Sequence, residues 1–81
     1  MTNQRIKNQE KLMETINSLE ENTLAAVVEN ATKMQTEIRV NGADVLCTVT
    51  PAQKEGRFYK LFYVNGKRTP KTALSTVLLS V

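Results

Sequence analysis

Eighty-one residues are enough for one small domain with one core, because a chain of this size buries only about 60% of the surface its unfolded form exposes. With 41% hydrophobic and 23% charged residues, the composition is that of a folding chain, not a disordered one. The net charge of +3, the single cysteine and the absence of histidine exclude an internal disulfide and leave too few soft ligands for a structural zinc site, so no metal and no cofactor is expected.

No apolar run approaches the roughly 18 residues needed to cross a bilayer, and the N-terminal MTNQRIKNQEK is polar. Neither a leader nor a membrane partner is expected, and the expected location is cytoplasmic. Small domains without a disulfide or metal staple often gain stability by association, which makes a homo-oligomer the expected state. The charge is unevenly placed. Residues 1–33 hold four basic and five acidic side chains, whereas residues 34–81 hold seven and three.

Residues 1–34 read as helix. Between Asn3 and Lys33 there is no Gly or Pro, and Ile6, Leu12, Met13, Ile16, Leu19, Ala26, Val27 and Ala31 recur at helical spacing. Leu12, Ile16, Leu19, Thr23 and Ala26 share one face. Two uses of that stripe stay open: packing on the rest of the domain, or a dimer seam through Leu12, Ile16, Leu19 and Ala26. Ser18 and Glu21 fit a capping box, so a kink or break near residues 18–23 competes with one long helix, which is the favoured reading.

Residues 36–64 read as a three-stranded antiparallel meander. Glu37-Ile38-Arg39-Val40 alternates as the first strand, Asn41-Gly42 supplies a type I′ turn, and Asp44 to Thr50 returns as the second strand, ended by Pro51. After a turn at Pro51–Gly56, the third strand runs from Arg57 to Val64. A second Asn-Gly turn, Asn65-Gly66, leads to a stub of strand at Lys67-Arg68. Thr69 and Pro70 then read as the cap and first position of a helix over 69–81, with Ala73, Leu74, Val77, Leu78 and Val81 as its apolar stripe. The class is α+β: long helix, meander, C-terminal helix.

Catalysis finds no support in these residues. There is no histidine to act as a base near neutral pH, the acids Glu37, Asp44 and Glu55 are separated by turns, and the glycines stand singly. Cys47, alternating with Val45 and Val49, reads as a small buried hydrophobe. No catalytic residue is assigned, and the protein is expected not to be an enzyme.

The informative segment lies after Glu55, where no acidic residue follows. Arg57, Lys60, Lys67, Arg68 and Lys71 are interleaved there with Phe58, Tyr59, Phe62 and Tyr63, all the aromatic residues of the chain. Cations hold phosphates and rings stack on unpaired bases, so these five cations with Phe58 and Tyr59 are the candidate nucleic-acid-binding residues. Strand alternation puts Tyr59, Leu61 and Tyr63 on one face and Phe58, Lys60, Phe62 and Val64 on the other. Lys67, Arg68 and Lys71, at the start of the last helix, would seat a phosphate there.

The order helix, three strands, helix, with Lys67, Arg68 and Lys71 at the second helix start, is similar to that of double-stranded RNA-binding domains, whose second helix lays lysines on phosphates. The ending FYVNGKRTPKTAL also resembles small accessory proteins encoded by bacteriophages. That resemblance implies action in a host cytoplasm, either on nucleic acid or as an inhibitor or antitoxin-like factor bound to a host protein. RNA or single-stranded DNA suits the rings better than a duplex, because stacking needs exposed bases.

Overall fold

The computed structural model describes residues 3–54 and 56–80. A short strand β1 (Asn3–Gln4) precedes helix α1 (Gln9–Asn30), strands β2 (Met34–Val40), β3 (Ala43–Pro51), β4 (Phe58–Val64) and β5 (Lys67–Arg68), and helix α2 (Lys71–Leu79). The strands lie in chain order in one sheet. β2 to β5 are antiparallel, and β1 pairs with β2 in parallel. The α+β class stands, and the expected meander is the middle of a larger sheet.

Helix α1 is shorter than the 1–34 expected, and it is unbroken across residues 18–23. Asn8 caps it, its side-chain oxygen accepting from the Lys11 N–H at 3.1 Å. Ala31 ends it in the left-handed region at φ 55°, with its N–H donated to the Val27 carbonyl at 2.8 Å. Thr23 can be fully buried in its middle because its hydroxyl donates to the Leu19 carbonyl at 2.7 Å. The capping-box reading of Ser18 and Glu21 is therefore superseded: the helix passes straight through them.

Both Asn-Gly pairs form the expected turns, with positive φ at Asn41, Gly42, Asn65 and Gly66. Their asparagines do more than turn the chain. The Asn65 side chain accepts from the Asp44 N–H at 2.9 Å, which ties the β4–β5 turn to the start of β3. Asn41 reaches further. Its Oδ1 accepts from the Ile6 N–H at 2.8 Å, and its Nδ2 donates to the carbonyls of Ile6 at 2.8 Å and Leu78 at 2.9 Å. Its own N–H donates to the Gln4 carbonyl at 2.7 Å. These bonds explain why Asn3–Gln4 leaves the expected helix: one turn residue holds the entering chain and the end of α2 together.

At the other helix the expected cap is replaced. Pro70 occupies the N-cap position with no side-chain hydrogen bond. The Thr69 N–H donates to the Phe62 carbonyl at 2.9 Å and its hydroxyl to the Lys67 carbonyl at 3.1 Å, so Thr69 belongs to the sheet edge. Val81, the last residue of the expected stripe, lies outside the described residues.

The core forms on one side of the sheet only. Val40, Ala43, Val45, Cys47, Val49, Phe62 and Val64 share one side of the pleat and are buried with Ile6, Leu12, Ile16, Leu19 and Val27, and with Leu74 and Leu78 of α2. The stripe Leu12, Ile16 and Leu19 thus packs on the protein's own sheet, and Ala26 beside it is half-buried. The dimer seam expected through these four residues is therefore not a free surface. Each fully buried side chain of this kind contributes about 2 kcal/mol. Among the described residues no helix is long and apolar enough to cross a membrane.

Replacing Asn41 by Ala should cost about 3 kcal/mol, since it strands the Ile6 and Leu78 main-chain groups and forces an alanine into the left-handed region. Asn65→Ala carries the same left-handed penalty, at φ 51° in both, but loses only one exposed side-chain bond, and should cost about 1 kcal/mol less. Urea unfolding of the two variants checks this, and equal losses would contradict it.

Candidate nucleic-acid interface

Because both helices lie on one side, the opposite face of the sheet is left uncovered. Cross-strand pairing sets its rows: Glu37, Leu46, Tyr63 and Arg68 in one, Gln35, Thr48 and Leu61 in the next, then Thr50 and Tyr59. Tyr59 is 66% exposed, the most exposed of the large apolar side chains on the described strands. Leu46, Leu61 and Tyr63 are half-buried by their neighbours alone, and with Gln35, Glu37, Thr48 and Thr50 they line a shallow depression of about 370 Å³. Arg39 and Asp44 close one end as an exposed ion pair at 3.3 Å, which contributes little to stability.

The candidate residues divide between the two faces. Tyr59 and Arg68 lie on the open face, where Arg68 stands directly opposite Tyr63. Phe58 turns to the other side and packs against the core, so it cannot stack a base beside Tyr59. Arg57 is exposed just before β4, and Lys67, opposite Val64, is exposed on the helix side of β5. Lys67 and Arg68 therefore diverge.

Lys60 and Lys71 are held elsewhere. Lys60 Nζ lies 3.2 Å from Glu20 Oε1, and Lys71 Nζ lies 3.1 Å from Glu20 Oε2. One carboxylate of α1 thus ties β4 to the start of α2; of the expected phosphate seat, Arg68 and Lys71 border one hollow, with Lys71 paired to Glu20, and Lys67 is not among its lining residues. Burial pushes the Glu20 carboxyl up, yet hydrogen bonds and charge from Lys71 and Lys60 outweigh that and hold it below its ordinary value.

Two residues of this region escaped the sequence reading. Tyr63 could have been found from its alternation with Tyr59, had the covered face been known. Glu20 lies 40 positions from Lys60, and no local signal announces the pair. Cys47 is fully buried, and burial pushes its thiol up more than the Thr23 hydroxyl beside it lowers it. Among the described residues no three His, Cys, Asp or Glu side chains gather as metal ligands would.

Glu20→Gln should lower stability by about 1 kcal/mol near neutral pH, a modest loss because both lysines are partly exposed. The folded carboxyl titrates below the unfolded one, so its contribution is complete above about pH 5 and disappears as pH falls through the folded value. Melting curves of parent and variant should separate above pH 5 and converge in acid. A gap that persists unchanged in acid would contradict the ion-pair account.

Comparison of the chain with protein-family models, with curated proteins and with solved structures finds no match in any of the three.

Proposed function

We propose that this protein is a small, non-enzymatic nucleic-acid-binding accessory protein of the cytoplasm that holds RNA or single-stranded DNA on the open face of its sheet. The observation that carries this reading is the pair Tyr59 and Tyr63 on an uncovered face, with Arg68 opposite Tyr63. Residues four apart on a strand share a face and lie about 13 Å apart. Two rings at that spacing, with Leu61 between them, offer successive unpaired bases an apolar platform.

The row Glu37, Leu46, Tyr63, Arg68 runs from an anion to a cation across the sheet. A strand of nucleic acid would lie with its phosphates toward Arg68 and Arg57 and its bases toward Gln35 and Glu37. A carboxylate accepts from the exocyclic amino groups of cytosine and adenine and repels the carbonyls of uracil, so amino-bearing bases are favoured. Lys60 and Lys71, already bound to Glu20, contribute little.

A second reading rests on the half-buried Leu46, Leu61 and Tyr63, which could equally anchor a host protein. Ionic strength separates the two. Two or three phosphate contacts give a log–log salt slope of roughly −1.5 to −2 on a single strand, whereas an apolar protein interface responds weakly.

In fluorescence anisotropy with short labelled oligonucleotides at low salt, oligo(C) and oligo(A) should bind more tightly than oligo(U). Tyr59→Ala and Tyr63→Ala should each weaken binding by about five- to a hundredfold, and Lys71→Ala should leave it nearly unchanged. Absence of binding at low salt, or binding indifferent to both tyrosines, would transfer the function to the protein-binding reading.

A further inference from the structure

The outer edge of β4 is open where it should be most dangerous to leave it open. On that side β5 pairs only with Tyr63 and Val64, and the Thr69 N–H adds one bond to the Phe62 carbonyl. From Phe58 to Leu61 no strand of the described residues lies beside it.

The direction of the main-chain groups follows from bonds at both ends of the strand. The Arg57 carbonyl accepts from the Ala52 N–H at 3.0 Å and the Asn65 N–H donates to Asp44 at 2.8 Å, so odd-numbered residues of β4 turn their peptide groups toward β3. The Phe62 carbonyl, bonded to Thr69, turns outward. Alternation then turns the N–H and C=O of Phe58 and Lys60 outward as well. Beside them lies a hollow of about 600 Å³, bordered by Lys60, Arg68, Pro70, Lys71 and Glu20.

We infer that this edge accepts an extended segment of a partner protein, acidic at alternate positions, as an added strand. Two features select that occupant. Among the described residues, Lys60, Arg68 and Lys71 border the hollow with one carboxylate, Glu20, and Arg57 is exposed at the start of the strand. A second copy of β4 would bring the same cations face to face across a two-fold axis, which disfavours self-pairing, as edge lysines do in general. On an added strand, residues opposite Lys60 would share its side of the sheet and reach Lys60 and Lys71, where an acid extends the pairing Glu20 begins. Their neighbours would meet Tyr59 and Leu61 on the open face, where apolar side chains fit. This surface shares Tyr59, Leu61, Arg57 and Arg68 with the tyrosine platform but is defined by the main-chain groups of Phe58 and Lys60, and its occupant is protein.

The probe is a synthetic peptide of alternating glutamate and valine, added to the full-length protein while amide hydrogen exchange is followed residue by residue. The Phe58 and Lys60 amides should slow at least about tenfold, and those of Tyr59 and Leu61, which face β3, should not change. Methylating the peptide nitrogens that face the edge should weaken binding by about tenfold or more. A lysine–valine peptide should fail to bind, and Arg68→Glu should weaken the acidic one. Three results would each overturn the inference: no binding of the acidic peptide, equal binding of the methylated peptide, or protection of Phe58 and Lys60 without peptide in a species of dimer mass.

Discussion

Both helices of this protein pack on the same side of its sheet, and the rest of the molecule follows from that asymmetry. The described residues supply two helices and five strands. The covered side takes the buried apolar residues of β2, β3 and β4. The uncovered side must then be tolerable in water, and it is so only in part: polar residues such as Gln35, Glu37 and Thr50 are mixed with Tyr59, Leu61, Tyr63 and Leu46. Exposed aromatic residues in a protein with so few rings are costly to leave in water unless something uses them.

Long-range polar ties hold this arrangement where a disulfide or metal would in other small domains. Asn41 joins the start of the chain and the end of α2 to one hairpin turn. Glu20 joins α1 to β4 and to the start of α2. The Glu20 ties also sort the basic residues. Two of the five cations in the last third of the chain share one carboxylate on the helix side, which leaves one positive charge in excess there, while Arg57, Lys67 and Arg68 lie away from Glu20.

Much of the fold was legible in the sequence because its signals are local. The Asn-Gly pairs announce their turns, the alternation of Tyr59, Leu61 and Tyr63 announces a face, and the step of Leu12, Ile16 and Leu19 announces a helix. What was not legible depends on contacts between distant residues. Asn3 and Gln4 look helical by composition, and pairing with β2 together with the hydrogen bonds of Asn41 to Gln4 and Ile6 draws them into the sheet. The apolar stripe of α1 could pack on its own domain or on a second helix equally well, and the sheet it meets takes it into the core. Phe58 and Tyr59 are equivalent in sequence, yet one packs in the core and the other stands in water. The cluster Lys67, Arg68 and Lys71 looked convergent because it is contiguous, whereas strand alternation sends Lys67 to the helix side, and Lys71, which borders the same hollow as Arg68, is paired with Glu20.

The central claim is that the open face of the sheet binds a single strand through its tyrosines. Nitrogen–proton correlation spectra recorded while a short oligo(C) is titrated into the protein test it most directly. The account predicts that the largest shift changes fall on Tyr59, Leu61, Tyr63, Leu46 and Arg68, with α1 and α2 quiet. Changes confined to the helices, or none at all at low salt, would contradict it.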